Sequence, residues 1–145
     1  MVKFEKVSRV EEVRLSERAT ANSAGYDFFA VEDVTLPAKQ MTRIMTGVKC
    51  KMRPYMFLLL ANRSSNPSRK GIFLTNGVGI VDADYYDNPD NEGEIGFEFY
   101  NFNEKDVDMQ KLLMLGQGIL ITFNKTPDDN ATGSRDGGFG STDNK

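Results

Sequence analysis

The chain has 145 residues, a net charge of −3, one cysteine and no histidine. This length is typical of a single domain with a substantial core, and the negative charge argues against direct, general nucleic-acid binding. The absence of histidine excludes Ser-His and Cys-His nucleophile systems and His-containing zinc sites. If the protein is an enzyme, carboxylates must carry the proton transfer, and a bound metal is expected to be a hard cation held by oxygen.

Two features of the sequence bear on the compartment. No apolar run approaches the roughly 20 residues needed to span a bilayer, and residues 1–5 lack the apolar stretch of a secretory signal. The single cysteine, Cys50, cannot form an internal disulfide and suits a reducing interior. We therefore expect a cytoplasmic protein with no membrane contact.

Short strands are predicted for the N-terminal part of the chain. Two apolar-alternating pieces around Val7 and Val13 predict a pair of edge strands, and the polar residues 16–23 predict a loop. Residues 24–30 form a short aromatic strand with one carboxylate, Asp27. An acid in such a strand either faces water at a sheet edge or belongs to a site, and the pattern alone slightly favours water.

The next strands are better defined. Residues 33–36 form a short strand that Pro37 stops, and the nearly continuous apolar run 55–61 suggests a strand covered on both sides. Between them, residues 43–52 alternate cleanly and predict one strand, with Cys50 as a buried structural thiol. Its inward face consists of Ile44, Thr46, Val48, Cys50 and Met52.

A polar stretch, 62–71, follows this apolar run abruptly. It combines a helix N-cap signature with hydroxyl side chains and three cations. A turn that begins a short helix exposes N–H donors, and with Arg63 and Ser64 it would form an anion site. An ordinary polar loop with surface charges explains the same residues equally well.

An apolar run that meets an Asn-Gly pair and then returns predicts a β-hairpin. Asn76 and Gly77 are a strong hairpin signal, because both central residues of such a turn need φ > 0. Gly77 and Gly79 also leave backbone that a flat ligand can approach closely. Asp82 and Asp84 lie two apart on an extended chain, so they should point to opposite faces, and only one can face a ligand. An ordinary hairpin with acidic, solvent-facing ends is the alternative.

Two more strands precede the C-terminal stretch. Residues 94–102 alternate in polarity, and residues 112–123 form a further apolar strand that Gln117 interrupts between two glycines. Glycine inside a strand indicates a bulge or the close approach of another group. The inward side chains of the first of these strands are predicted to be Ile95, Phe97 and Phe99.

From Asn124 onward the sequence is rich in Asp, Asn, Thr, Gly and Ser, and it is expected to be mobile when alone. Phe139 stands there among glycines, and a flat ring elsewhere would give it a packing partner. Arg135, Ser141 and Thr142 beside it could bind an anion. A disordered tail is the alternative.

The whole pattern indicates an all-β protein. About ten short strands with turn signals between them, and no repeat or long amphipathic helix, are typical of a β-sandwich or jelly roll. The predicted organisation is a jelly-roll domain at residues 1–123, followed by a flexible glycine-rich C-terminal arm at residues 124–145.

Together these stretches resemble the five motifs of the trimeric dUTP diphosphatase (dUTPase) family, in order along nearly the whole chain. The third and fifth motifs are highly specific, and five motifs in the right order make a chance resemblance improbable. In chain order the matching residues are Ala24-Gly25-Tyr26-Asp27, Arg63-Ser64-Ser65, Asn76 to Tyr85 with Gly93-Glu94-Ile95, Gly116-Gln117-Gly118-Ile119 and Gly137-Gly138-Phe139-Gly140-Ser141-Thr142.

The resemblance implies a jelly-roll homotrimer with sites shared between subunits. It would hydrolyse dUTP to dUMP and pyrophosphate with Mg²⁺, which keeps uracil out of DNA and supplies dUMP for thymidylate synthesis. Asp82 would activate the attacking water, and Asp27 would meet Mg²⁺ through water, the metal being held mainly by the substrate phosphates. Uracil and deoxyribose would be bound by Asn76, Gly79, Ile80, Tyr85 and Phe139. The phosphates would be bound by Arg63, Ser64, Ser65, Gln117, Arg135, Ser141 and Thr142.

The chain departs from the family pattern in three places. Residues 86–92 are inserted between Tyr85 and Gly93 and are expected to form a tolerated surface loop. The fourth motif lacks the Gly and Arg that usually precede its Gln, and the Arg of the fifth motif stands one residue nearer the glycine pair. Two alternatives remain open: a dCTP deaminase-like enzyme of the same fold, and a dUTP-responsive binding or regulatory protein with weak turnover.

Overall fold

A computed structural model describes residues 1–135, 137–140 and 142–143, and within this part of the chain twelve strands form nearly all the regular structure. A π-helical turn (Asn66–Lys70) and a 3₁₀ turn (Ala83–Tyr85) are the helical elements of the same residues. The strands are β1 (Lys3–Lys6), β2 (Glu17–Arg18), β3 (Tyr26–Phe29), β4 (Val34–Leu36), β5 (Met41–Met45), β6 (Val48–Lys51), β7 (Met56–Asn62), β8 (Ile72–Leu74), β9 (Gly79–Asp82), β10 (Gly96–Asn101), β11 (Val107–Met109) and β12 (Met114–Thr122).

The strands form two main antiparallel sheets and two smaller pairs. One sheet has the order β2-β3-β12-β7-β9, and the other has the order β5-β10-β8. Strands β1 and β6 pair with each other, as do β4 and β11. The prediction of an all-β, jelly-roll-like sandwich is confirmed. No helix among the described residues is long and apolar enough to cross a membrane.

Aromatic side chains fill the core between the two main sheets. The rings of Phe28 and Phe97 lie 5.6 Å apart, and neither side chain is more than 1% exposed. The glycines beside Gln117 make room for these rings: a Cβ on Gly116 would lie 2.7 Å from the Phe97 ring, and a Cβ on Gly118 would lie 2.8 Å from Phe28. The groups that closely approach these glycines are therefore core aromatic rings. The strand register also shifts here, between Met114 and Gly116.

The inward faces predicted from alternation are confirmed, but one predicted strand is wrong. Ile44, Thr46, Val48, Cys50 and Met52 are all buried, as are Ile95, Phe97 and Phe99. The single strand predicted over 43–52 is nonetheless two strands, because Gly47 adopts φ +72° between β5 and β6. Strand β5 pairs with β10 and β6 pairs with β1, so one face stays buried while the ladder partner changes.

The N-terminal predictions are wrong in part. A strand, β1, lies just before Val7, but the residues around Val13 join no sheet, and Val13 itself packs against the core. The predicted loop 16–23 contains the two-residue strand β2, which pairs with the edge of β3. Short edge strands depend on a neighbouring strand rather than on their own composition, and so they leave a weak signal in the sequence.

Cys50 is expected to resist chemical modification in the native protein. Its side chain is 2% exposed, and burial raises the pKa of the thiol to about 12. Since the thiolate is the reactive form, modification by a disulfide reagent at about pH 8 should be very slow until guanidinium unfolds the chain. As a matched control, Asn130→Cys places a thiol in the exposed arm, where it should react at once. Equal rates for the two thiols would contradict the burial of Cys50.

Candidate active site

The Asn-Gly turn carries the chain from one sheet to the other. Leu74 in β8 pairs with Phe99, whereas Gly79 in β9 pairs with Leu60. The hairpin prediction is therefore wrong, because the two arms of the turn bond to different strands. Of the two central residues only Gly77 has positive φ, at +71°. The Asn-Gly pair predicted a reversal of the chain, and the chain does turn there. Pairing with distant strands decided which strand each arm of the turn joins.

A cavity of about 230 Å³ opens beside this turn. It collects the residues that the sequence assigned to uracil and deoxyribose, together with the acids Asp82 and Glu94 and the guanidinium of Arg135. Its lining includes Asn76, Gly79, Ile80, Asp82, Tyr85, Arg135 and Phe139. We call these residues the nucleoside cluster.

Gly79 forms part of the floor of the nucleoside cluster. A Cβ added to Gly79 would lie 3.1 Å from the side chain of Leu60, so the backbone of β9 lies close to β7. Ile80, the next residue, is 55% exposed, and Val81 is buried again. The alternation leaves the backbone and Ile80 facing the cavity while Val81 anchors the strand in the core.

Hydrogen bonds hold Tyr85 both at its side-chain hydroxyl and at its backbone carbonyl. Its side chain is buried, and its hydroxyl donates a hydrogen bond to the carbonyl of Glu94 at 2.7 Å and accepts one from Asn91 Nδ2 at 2.9 Å. Asn88 Nδ2 donates to the Tyr85 carbonyl at 3.0 Å. Burial raises the pKa of the Tyr85 phenol, so the ring is neutral at physiological pH.

Asp82 and Asp84 face the same partner, which corrects the prediction that they point to opposite faces. Arg135 Nη2 donates to Asp82 at 2.6 Å, and Arg135 Nε donates to Asp84 at 2.9 Å. The strand ends at Asp82, and Ala83–Tyr85 turn as a 3₁₀ helix. A turn of three residues per revolution removes the alternation of an extended chain, so both carboxylates reach one guanidinium.

The arm meets Tyr85 through its glycines and its aromatic residue. The ring of Phe139 stands edge-on to that of Tyr85, with centroids 6.4 Å apart, and the Arg43 guanidinium lies 3.7 Å from the centre of the Phe139 ring. A Cβ on Gly138 would lie 2.4 Å from the Tyr85 ring, so glycine is needed there. Thr142 is exposed, and Ser141 lies outside the described residues.

A second pocket, of about 170 Å³, collects the residues of the first, second and fourth motifs. Gln117 on β12 is the direct partner of Asp27 on β3, and β12 also pairs with β7, which Arg63 and Ser64 follow. Antiparallel register thus joins residues that are up to 90 positions apart in the chain. We call Asp27, Arg63, Ser64 and Gln117 the phosphate cluster.

The side chain of Gln117 depends on a glycine across the strand pair. A Cβ added to Gly25 would lie 2.1 Å from Gln117 Oε1. Glycine at position 25 therefore leaves the space in which the Gln117 amide lies. This contact links the first motif to the fourth.

The predicted helix N-cap after β7 is not formed. Ser65 makes no side-chain capping bond and does not line the second pocket, and the helical turn is only five residues long. Asn66 is fully buried instead, and its amide donates to Asn62 and to the carbonyl of Leu115, both at 2.9 Å. This buried amide, rather than a cap, fixes the polar segment against β12.

Burial and neighbouring cations shift the pKa values of charged groups in and beside the phosphate cluster. Burial raises the pKa of Asp27, although Arg63 and Arg14 oppose this. Burial and the charge of Arg63 both lower the pKa of Lys70. Arg63 thus lowers both pKa values, as expected of a cation near each group.

The described residues contain no group of three or more carboxylates, histidines or cysteines that could enclose a metal ion. Asp27 is the one carboxylate that lines the second pocket. It can therefore contact a hydrated cation through water, but it does not form a protein cage. Such a donor set suits Mg²⁺, which usually keeps several waters and binds phosphate oxygens.

The two clusters line separate pockets. The pocket of the nucleoside cluster and the pocket of the phosphate cluster share no lining residue among those the structure describes. One chain thus presents two partial sites.

Sequence reasoning gave no role to Glu94, which supports the nucleoside cluster from behind. Its side chain is only 4% exposed and accepts two hydrogen bonds from Arg9, at 2.6 and 2.5 Å. A third bond comes from the backbone N–H of Gly47 at 2.9 Å. Glu94 belongs to the stretch Gly93-Glu94-Ile95 that resembles the third motif. The alternation that turns Ile95, Phe97 and Phe99 inward predicts an outward Glu94, so the pattern gave no signal of its burial.

Comparison with known proteins agrees with this geometry. The dUTPase family model matches residues 11–143. The chain belongs to the dUTPase family. The deoxyuridine 5′-triphosphate nucleotidohydrolase of Lactococcus lactis is 38% identical over 143 residues, which cover 96% of this chain and 95% of the relative.

Solved dUTPase structures share the fold. The crystal structure of a dUTPase from Streptococcus mutans superposes with a TM-score of 0.82 at 37% identity, covering 85% of this chain and 97% of that one. A mutant dUTPase from phage phi11 of S. aureus, which coordinates a structural Mg(II) ion, superposes with a TM-score of 0.74. That likeness covers 91% of this chain and 96% of the phage protein, but at 20% identity it speaks for the fold alone.

Removing Arg9 should destabilise the protein markedly. Arg9→Ala leaves the Glu94 carboxylate buried without its guanidinium, and we expect the free energy of unfolding to fall by about 2 kcal/mol. This is less than the loss for a fully buried pair, because Arg9 is half exposed. Urea unfolding measures the difference, and the exposed Arg53→Ala is a control that should change stability by less than about 0.5 kcal/mol. Equal effects of the two substitutions would contradict the role of Arg9.

Proposed function

We propose that the protein is a Mg²⁺-dependent dUTP diphosphatase that hydrolyses dUTP to dUMP and pyrophosphate as a homotrimer. Membership of the dUTPase family makes the chain an enzyme of this class. The observation that carries the mechanism is the nucleoside cluster, in which a bare backbone edge, a buried tyrosine and a carboxylate line one cavity. In a cell this activity would keep uracil out of DNA and supply dUMP for thymidylate synthesis.

Uracil would be recognised at the edge of β9. The backbone at Gly79 and Ile80 offers donors and acceptors to the pyrimidine, and the Asn76 amide offers both to the same edge. Tyr85 would lie under the deoxyribose and leave no room for a 2′-hydroxyl. Phe139 now stands edge-on to Tyr85, and a bound uracil would give its ring a flat surface on which to stack.

The water that attacks the α-phosphorus would give its proton to Asp82. This carboxylate is half exposed and now bonds Arg135, so it becomes available when the guanidinium moves to a phosphate. Arg135 and Thr142 are suited to the γ-phosphate, as is Ser141. A positioned carboxylate base is the expected solution in a chain without histidine.

The phosphate cluster would hold the triphosphate chain. Arg63, Ser64 and Gln117 present a cation, a hydroxyl and an amide at one pocket, and Ser65 lies beside them. Asp27 would hold waters of the hydrated metal. When bound to the triphosphate, Mg²⁺ would neutralise its charge and fix its geometry.

The separation of the two clusters supports the proposed trimer. Because one chain presents the nucleoside and phosphate clusters as separate pockets, a complete site needs the phosphate cluster of a neighbouring subunit. Several large apolar side chains are exposed on one chain, among them Tyr55, Phe102 and Phe123. Such side chains are suited to burial between subunits.

Asp82→Asn should abolish turnover but preserve binding. The amide keeps the shape of the side chain but cannot accept the proton of the attacking water, so we expect kcat for dUTP to fall by at least about 100-fold. The affinity for the non-hydrolysable analogue α,β-imido-dUTP should change little. Pyrophosphate release measures turnover, and Asp84→Asn, which removes the other partner of Arg135, is the matched control with a much smaller loss. Near-normal turnover by Asp82→Asn would contradict the role of Asp82 as the base.

The same assay distinguishes the alternatives. The unaltered protein should release pyrophosphate from dUTP in preference to dTTP, UTP and dCTP. Release of ammonia from dCTP would instead identify a deaminase. Tight binding of dUTP without turnover would identify a nucleotide-responsive binding protein.

Deleting residues 133–145 should cripple turnover and leave the trimer intact. This deletion removes Arg135 and Phe139, which line the nucleoside cluster, but it leaves every strand in place. Deletion of residues 144–145 alone is the control and should change neither property. Pyrophosphate release and light scattering measure the two outcomes, and full activity of the shorter protein would exclude a role for the arm.

A further inference from the structure

We infer that Asn91 is a positioning residue that fixes the Tyr85 ring and thereby sets the selectivity for deoxyribose over ribose. This inference rests on the proposed function, because it assigns a task within the same site. It concerns the stretch 86–92, which was expected to be a tolerated surface loop. The stretch does lie at the surface, with Asp87, Pro89 and Asp90 exposed, but Asn88 within it is only 5% exposed.

The Tyr85 hydroxyl has its hydrogen bonds in two fixed directions. It donates its single proton to the carbonyl of Glu94 at 2.7 Å, and it accepts from Asn91 Nδ2 at 2.9 Å. A phenol has one donor, and here the donor is already used by a backbone carbonyl. Only a donor such as an amide NH₂ can therefore satisfy the remaining side of the hydroxyl.

Asn91 is itself held in place by its other amide atom. Its Oδ1 accepts from Asn88 Nδ2 at 2.7 Å and from the backbone N–H of Gly93 at 3.0 Å. Because Asn88 Nδ2 also donates to the Tyr85 carbonyl, the two asparagines bind Tyr85 at the end of its side chain and at its backbone. The amide of Asn91 cannot flip without losing these bonds.

The rest of the stretch is attached to the body of the protein. Lys49 Nζ lies within 3.3 Å of Glu92 and also bonds Asp87, while the backbone N–H of Ser8 donates to Glu92 at 3.1 Å. The Tyr86 hydroxyl donates to Glu5 on β1. These contacts make 86–92 a support between the β1-β6 pair and Tyr85.

A fixed ring is what steric selection of the sugar requires. A pocket rejects an added hydroxyl by overlap only if the wall it meets cannot move away. Tyr85 forms such a wall, and one side of its residue is closed by Gly93, where a Cβ would lie 2.4 Å from the Tyr85 carbonyl oxygen. The ring could tilt only if its hydroxyl end moved, and the hydrogen bond from Asn91 holds that end in place.

The test is Asn91→Asp. This change keeps the shape and the Oδ1 acceptor that binds Asn88 and Gly93, but it replaces the donor toward Tyr85 with a second acceptor. We expect the ratio of kcat/KM for dUTP to that for UTP to fall by about 2- to 10-fold, as expected for the loss of one hydrogen bond. The fall should arise mainly from a lower KM for UTP, with little change in kcat for dUTP. Asn130→Asp, the same substitution in the exposed arm, should leave the ratio unchanged.

A double-mutant cycle separates positioning from general stability. In a Tyr85→Phe background the hydroxyl is absent, so adding Asn91→Asp should no longer change the ratio. An Asn91→Asp effect that persists in this background, or an unchanged ratio for Asn91→Asp in an active protein, overturns the positioning role but leaves the dUTPase proposal standing. Failure of the unaltered protein to hydrolyse dUTP overturns the proposed function instead.

Discussion

The buried carboxylate of Glu94 is the contact on which the nucleoside cluster depends. It binds Arg9, which follows β1, and the N–H of Gly47, which separates β5 from β6. The backbone carbonyl of Glu94 accepts a hydrogen bond from the Tyr85 hydroxyl. A buried charge is costly unless it is fully paired, so this one residue ties three distant segments together and sets the wall of the pocket at the same time.

The register of the antiparallel strands decides how the motifs group. Gln117 faces Asp27 on one side of β12, and β7 delivers Arg63 on the other, so three motifs form the phosphate cluster. The third motif lies on β9 at the edge of the same sheet and forms its own cavity with the arm. On one chain these two sets of residues line pockets that share no described residue, and this separation is the physical reason for proposing a shared site.

The arm contributes an ion pair that is suited to exchange. Arg135 bonds Asp82 and Asp84, both of which are about half exposed. The Arg135 side chain is 17% exposed, but solvent reaches both carboxylates, so a triphosphate can compete for the guanidinium. In the free chain Asp82, the proposed base, is thus bonded to Arg135, the proposed phosphate ligand. Substrate binding would separate the two side chains.

The sequence by itself determined the all-β class, the inward faces at 44–52 and 95–99, the buried state of Cys50 and the family, since alternation and motif order are local properties. It also predicted most of the residues that line the two pockets. Only the tertiary structure decided which sheets the arms of the Asn76 turn join, that Gly47 divides a strand, and that Asp84 shares Arg135 with Asp82. It alone made 86–92 a support for Tyr85. Periodicity reports which face of a segment is apolar, whereas ladder partners and side-chain reach depend on contacts between residues far apart in the chain.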